Sequence, residues 1–391
     1  MNTEQNIAFA VGGLAGNNFF GAGFLQAALD AGIEPGIISC TSGQIYYVRR
    51  YLEARKQGNN SLLEQEINKQ SIPLEQYKKS AELLFGMNPF MRPVYPADLM
   101  QDFAKNLLQT EQNLINKASQ QSYGNFATSY SRQLMSMIPG RNLVPQFSVE
   151  FLEETANIFN DQQEIGIVFN SYDPQSGHEI IYCNEATRKK WEAVKFNEKG
   201  GEEDRTRYES ITAQSVMDAL WVYQYGFDKS VHPLYPKINK NARFDGAFCR
   251  QVLLRELVWA NKIYAVRPIS YYWVGELPYS WMEIEDLKIE TMFNSAYRGE
   301  RDKIYLINKL IRKAKEKSIK LPDYLEKYQE IHLIEINMST QEGYLEYLSE
   351  NKSLFDQARQ KALVEFAKSE RNRSAPSPQE GESGVTSDQN R

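Results

Sequence analysis

Residues 7–44 decide the fold: Ile7-Ala-Phe-Ala-Val-Gly-Gly-Leu-Ala-Gly16, then Asn17-Asn-Phe-Phe-Gly-Ala-Gly-Phe-Leu-Gln-Ala-Ala-Leu-Asp-Ala-Gly32, then Ile33-Glu-Pro-Gly-Ile-Ile-Ser-Cys-Thr-Ser-Gly-Gln44. Ile7 to Val11 is a short apolar run ended by two glycines, which suits a buried parallel strand. Gly12, Gly13 and Gly16 make a loop whose backbone can approach a ligand closely. A helix is expected from Asn18 to Ala31, stopped by Gly32. Gly36 to Cys40 is a second buried strand, running through Thr41-Ser42-Gly43 into a further helix, Gln44 to Lys56. In a parallel sheet the carboxyl ends of neighbouring strands share one crevice. The glycine loop therefore faces Ser42, a serine on a strand-to-helix turn. That pairing sets a nucleophile beside backbone donors, as acyl transfer requires.

Composition narrows the class. The chain has 391 residues, 42% hydrophobic and 24% charged, which are the proportions of a globular protein with one large or two ordinary domains. A net charge of −5 argues against a nucleic-acid partner held by electrostatics. Cys40, Cys183 and Cys249 are odd in number and lack CxxC spacing, and the three histidines do not cluster. Neither a disulfide framework nor a metal site is expected. Without a signal-peptide pattern or a run long enough to span a bilayer, the chain is expected in the cytoplasm.

Further along, helices are expected over 61–69, 73–85 and 96–119. Between the last two, Pro89, Pro93 and Pro96 exclude regular structure. Residues 84–96 and 134–139 are rich in Met and Phe or Met and Leu, and read as the core of a helical insertion or as a cover over the Ser42 crevice. A helix at 147–161 precedes a hairpin, Ile165–Ser171 and Glu179–Cys183, turning at Pro174 and Gly177. Lys189–Thr206 reads as a solvated loop, and 211–227 as an apolar helix bearing Trp221, Tyr223 and Tyr225. Helices at 250–261, 283–318 and 353–368, and strands at 263–266 and 330–337, complete the chain up to a polar stretch from Ser369 that should be disordered.

The stretch from Gly12 to Ile33 resembles the oxyanion loop and first helix of patatin-like phospholipases. Cys40-Thr41-Ser42-Gly43-Gln44 stands where that family has its Gly-x-Ser-x-Gly elbow, and Asp245-Gly246-Ala247 where it has Asp-Gly-Gly or Asp-Gly-Ala. The hairpin at 165–183 is similar too. The chain departs from the pattern at Cys40 and Gln44, which replace elbow glycines, and at Asn17, which replaces a basic residue.

The resemblance implies an α/β three-layer sandwich with a mostly parallel central sheet and a helical insertion, 57–150, after the elbow helix. The hydrolase domain would cover 1–368, including a helical segment at 283–318, with 369–391 a disordered tail. It also implies a serine acyl hydrolase cleaving phospholipid or acylglycerol esters without cofactor or metal, in peripheral contact with a membrane. Ser42 would be the nucleophile, Asp245 the general base, and Gly12, Gly13, Leu14 and Ala15 the oxyanion loop. Two other readings stand beside it. One is a dinucleotide-binding turn, which wants an acidic residue where Cys40-Thr41-Ser42 stands. The other is a catalytically impaired patatin-like module that binds lipid or protein.

Overall fold

In the computed structural model, the described residues are 6–14, 17–70, 91–93, 100–101, 103–108, 112, 143–196, 205–226, 243–274, 276–320, 329–339 and 352–374. The opening unit forms as its sequence dictates. Strand β1 (Ile7–Val11) is buried along its whole length and lies parallel to β2 (Ile37–Cys40), with Val11 opposite Cys40. Between them runs α1 (Asn18–Asp30), buried from Asn18 to Leu29 because it is covered on both sides. The C-terminal helix α8 (Lys352–Ser374) packs against it. Helix α2 (Gln44–Gln57) follows the Ser42 turn and ends at Gly58 in a left-handed cap.

Around this unit stands one sheet of eight strands. In chain order the remaining elements are α3 (Leu62–Gln70), β3 (Met91–Pro93), β4 (Leu143–Pro145), α4 (Val149–Asn160), β5 (Gly166–Asp173), β6 (His178–Cys183), α5 (Glu185–Ala193), β7 (Thr206–Ser210), α6 (Ala213–Leu220), β8 (Phe244–Asp245), β9 (Lys262–Arg267), α7 (Trp281–Glu316) and β10 (His332–Asn337). The sheet runs β10-β9-β1-β2-β5-β6-β7, with β8 paired to β5. Neighbours from β10 to β5 are parallel, β6 turns back antiparallel in a hairpin, and β7 is parallel to β6.

Helices cover both faces. On one, Phe9, Val11, Ile38 and Tyr264 pack with α1, α2 and α8 through residues such as Phe24, Tyr47 and Phe366. On the other, Ala8, Ala10, Ile37 and Val168 pack with Trp191 of α5, with Leu253 and Leu257, and with Tyr297 and Ile304 of α7. The architecture is thus α/β with a mostly parallel central sheet between helical layers.

Several expectations need correction. Lys189–Thr206 is not simply a loop: α5 reaches Ala193 and Thr206 opens β7. The helix expected at 211–227 is shorter, α6 giving way to a 3-10 turn at Tyr223–Tyr225. No α-helix forms at 250–261, where the only helical piece is a 3-10 turn at Arg255–Leu257. Despite its proline, Met91–Pro93 pairs antiparallel with Leu143–Pro145 as a short ribbon. Helix α8 continues past Ser369 to Ser374, where disorder was expected. The Nζ of Lys262 also meets the Ser369 hydroxyl. The helices expected at 73–85 and over most of 96–119, and the apolar segment 134–139, lie outside the described residues.

Candidate active site

The Thr41-Ser42-Gly43 turn is where a flat strand must become a helix in three residues. Ser42 takes φ of +54°, one of only three non-glycine residues in the left-handed region among those described. Such a backbone costs about 1–3 kcal/mol and persists only where its surroundings enforce it. The enforcement is visible. Thr41 Oγ1 accepts from the Gly13 N–H at 2.8 Å and donates to the Gln251 carbonyl at 2.7 Å. Gln251 Nε2 closes the loop by donating to the Gly13 carbonyl at 3.2 Å. A Cβ on Gly13 would lie 2.1 Å from the Thr41 carbonyl oxygen, so only glycine lets the loop come this close.

Sheet register brings the second partner. Strand β2 pairs with β5 over Gly166–Val168 and then ends in the Ser42 turn. Beyond it, on the same edge of β5, β8 takes the vacated lane, with Asp245 opposite Ser171. β6 already occupies the other edge at Ser171, so no other placement is open to β8. Asp245 therefore lies directly past the elbow, where the Ser42 hydroxyl is near enough to favour its charged form, and its carboxylate accepts from the Ala247 N–H at 2.9 Å. Its own N–H is anchored on the Trp221 carbonyl at 2.8 Å. Ser42 is 8% exposed and Asp245 1%. Burial pushes the Asp245 carboxyl up to about 7, against the opposing pull of the Ser42 and Ala247 bonds.

The Asp245-Gly246 turn is braced from below. A Cβ on Gly246 would meet Asn170 Cγ at 2.2 Å, and Asn170 Nδ2 donates to the Gly246 carbonyl at 3.1 Å and to Glu179 Oε1 at 2.8 Å. Arg250, four residues beyond, is held by Glu179, Glu256 and Glu300 at 2.9, 2.7 and 3.1 Å. Burial raises the Glu256 carboxyl, whereas Glu300 is held below its usual range. The difference follows from their partners. Glu300 also faces Lys303 and accepts from the Arg255 N–H.

The oxyanion loop differs from expectation. The Gly12 N–H bonds the Val266 carbonyl at 2.9 Å, Gly13 bonds Thr41, and the Leu14 N–H bonds Asn18 Oδ1 at 2.9 Å. All three are spent on holding the loop, so they are not free to meet an anion as the sequence suggested. Ala15 lies outside the described residues. The N–H of Gly43, the residue after the serine and the N-cap of α2, bonds no described group. An N–H in that position is a usual oxyanion donor at a strand-turn-helix elbow. That general geometry was the signal in the sequence for Gly43.

Gln44 fills the place of an elbow glycine without breaking the turn, because α1 presents Gly21 beneath it. A Cβ on Gly21 would lie 2.3 Å from Gln44 Nε2. Cys40 is buried in β2, which pushes its thiol far up and leaves it no role as a nucleophile at neutral pH. Asn17 donates to the Pro268 carbonyl at 3.2 Å.

Aromatic side chains wall the acid. The Tyr223 ring stands 4.1 Å from Phe244 and 4.4 Å from Phe248 and is 39% exposed, whereas Trp221 and Tyr225 are buried. Strand β4, the end of the insertion, packs on this turn. Of the segments expected to cover the site, only Met91–Pro93 is described.

His178 begins β6 opposite Asp173, across β5 from Asp245, and His332 begins β10 opposite Lys262; neither bonds Ser42 or Asp245, and His232 lies outside the described residues. Among the described residues no group of three or more His, Cys, Asp or Glu side chains is assembled for a metal ion. No described helix is long and apolar enough to cross a membrane. Comparison with protein-family models gives no match for this chain, and comparison with curated proteins gives none either.

Proposed function

We propose that this chain is a serine acyl hydrolase of patatin-like type that cleaves lipid esters through a Ser42–Asp245 dyad. One observation carries the reading: a serine held at positive φ on a strand-to-helix turn faces a buried carboxylate that a distant turn brings to the same sheet rim. A surface Asp-Gly turn has no reason to be desolvated there, and a structural serine has no reason to be strained.

In this mechanism Asp245 takes the Ser42 hydroxyl proton as Oγ attacks the ester carbonyl. The tetrahedral oxyanion forms at the Gly43 N–H and the N-terminus of α2. Collapse breaks the ester bond, and the proton passes from Asp245 to the leaving alcohol. Water, deprotonated by the same carboxylate, then attacks the acyl-serine and releases the acid. A lipid ester as substrate is supported by the aromatic wall around Tyr223 and by the loop after β9. That loop leaves the same rim and exposes Tyr272, Leu277 and Tyr279 at 72%, 78% and 87%. The same surface supports peripheral contact with a membrane.

The test is labelling by a fluorophosphonate together with hydrolysis of a soluble short-chain ester. Ser42→Ala should abolish both, and Asp245→Asn should cut hydrolysis by roughly 10²–10⁴-fold. The base acts only when ionised, so the wild-type rate should rise with pH through about 7 and level off above it. Stability runs the other way. A carboxyl raised from 3.8 to about 7 by folding contributes stability below 3.8 that is lost as pH rises through 7. At pH 8 Asp245→Asn should therefore melt higher than wild type. A labelled, active Ser42→Ala variant would end the Ser42 mechanism, and a wild type that is neither labelled nor active would leave a binding module.

A further inference from the structure

With the three described N–H groups of the glycine loop spent, the hole needs a second donor beside Gly43. The side chain of Asn18 is built for it. It is 2% exposed, at the start of α1, and its orientation is fixed by chemistry. The Leu14 N–H points at it from 2.9 Å, so that atom must be the carbonyl oxygen Oδ1. Gln44 Nε2, itself oriented by donating to the Asn18 backbone carbonyl at 2.8 Å, reaches the same Oδ1 at 3.4 Å. With the oxygen turned toward the loop, the amide nitrogen faces the elbow. A Cβ on Gly43 would lie only 2.2 Å from Asn18 Nδ2, against 3.8 Å from Oδ1. The nitrogen thus rests on the backbone of the residue that follows Ser42. Its two hydrogens bond no described group, although the amide is buried.

We infer that Asn18 is a catalytic residue, with its Nδ2 donating to the oxyanion together with the Gly43 N–H. The inference rests on the Ser42 hydrolase reading. It explains three features together: why the loop N–H groups can be consumed as structure, why position 44 can carry a glutamine that helps hold the amide, and why position 43 must be glycine. Any side chain at 43 would displace the donor. No covalent step changes. The tetrahedral oxyanion gains one N–H···O⁻ bond that the planar ester lacks, so the gain appears in the transition state.

Asn18→Asp separates donor from scaffold. It keeps an oxygen for Leu14 and Gln44 and replaces the Nδ2 donor with a second oxygen, whose charge adds to the loss at the oxyanion and costs stability in this buried place. Soluble-ester hydrolysis should fall by about 10²–10³ in kcat with KM nearly unchanged, the usual loss for one oxyanion donor. Asn18→Ala should lose at least as much activity and also stability, because Leu14 loses its acceptor. A tetrahedral boronate should bind Asn18→Asp more weakly by a similar factor, and circular dichroism should stay that of folded wild type although the melting temperature falls. A folded Asn18→Asp enzyme with wild-type kcat would overturn the assignment. So would an unchanged boronate affinity, or a rise in KM that accounts for the whole loss. The hydrolase reading is judged separately, on whether wild type is labelled at Ser42.

Discussion

The two halves of the proposed dyad are held in different ways. Ser42 belongs to a contiguous unit, Ile7 to Gln57, in which strand, loop, helix, strand and helix follow one another and close on themselves. Its strain is met by neutral hydrogen bonds and close backbone contact: Gly13 on Thr41, Thr41 on Gln251. Asp245 sits on a two-residue strand that has no stability of its own. Residues distant in sequence hold it: Asn170 on β5, Glu179 on β6 and Glu300 on α7. Ser42 is positioned mostly by local backbone packing, with one distant anchor at Gln251, and Asp245 by a long-range polar network. Local packing has no give, because backbone cannot rotate away. A network of side chains can adjust, but fails abruptly if one charge is removed.

The comparison breaks first at the glycines. Gly13→Ala drives a methyl to 2.1 Å from the Thr41 carbonyl and 2.8 Å from Ser42 Cβ. Both belong to the elbow, so the substitution should abolish folded, labelled protein, an effect beyond about 4 kcal/mol. Gly246→Ala meets Asn170 at a similar distance, but Asn170 is a side chain. Its cost should be smaller, and Asn170→Ala should recover part of it. Urea denaturation of the two singles and the double variant decides. If Asn170→Ala gives no rescue, the base is held as rigidly as the nucleophile.

Next comes the ion cluster. Arg250→Met removes one cation from among three carboxylates, of which Glu256 is wholly buried. An uncompensated buried charge costs about 3–5 kcal/mol. Glu256 and Glu300 would have to take up protons, so the loss should shrink as pH falls toward 5. Melting against pH tests this. A loss independent of pH would mean that Arg250 acts by packing alone.

The same contrast explains what was legible. The elbow unit could be read because its elements are sequential and their glycines, apolar runs and helix stop are local signals. The Asp245-Gly246-Ala247 motif was visible, but its lane beside β5 and its braces were not, since these are set by register and by residues far off in sequence. The expected helix at 250–261 fails for a readable physical reason. Its carbonyls are taken by other elements: Arg250 by Asn170, Gln251 by Thr41, Leu253 by Ser39 and Glu256 by Trp191. A helix would need those carbonyls for itself. Helix α5 was missed because its Arg-Lys-Lys surface hides the buried Ala186, Thr187 and Trp191. The bonds of the loop N–H groups were not legible, because backbone donors can be counted in a sequence, but their partners cannot.

The smallest effect sharpens the comparison most, because it concerns the bulkiest side chain in the elbow, Gln44. Gln44 is fully buried, bonds the Asn18 carbonyl through Nε2, and leaves Oε1 without a described partner. Gln44→Gly loses a hydrogen bond and packing but also removes that orphaned acceptor, so the net cost should be only about 1–2 kcal/mol. Activity should stay within about threefold, since Leu14 alone still holds the Asn18 amide. Gly21→Ala by itself should cost more, as its methyl lands 2.3 Å from Gln44 Nε2 on a side chain with nowhere to turn. In the Gln44→Gly background the same methyl enters the space that the glutamine vacated and adds a better helix former to α1. The double variant should then be more stable than the sum of the singles by about 2 kcal/mol, the size of coupling expected between residues in direct contact. Strict additivity would mean that Gly21 is not what admits a glutamine to the elbow. The turn would then tolerate side chains at 44 by backbone adjustment, and the claim that local packing has no give would fail at the site where it matters most.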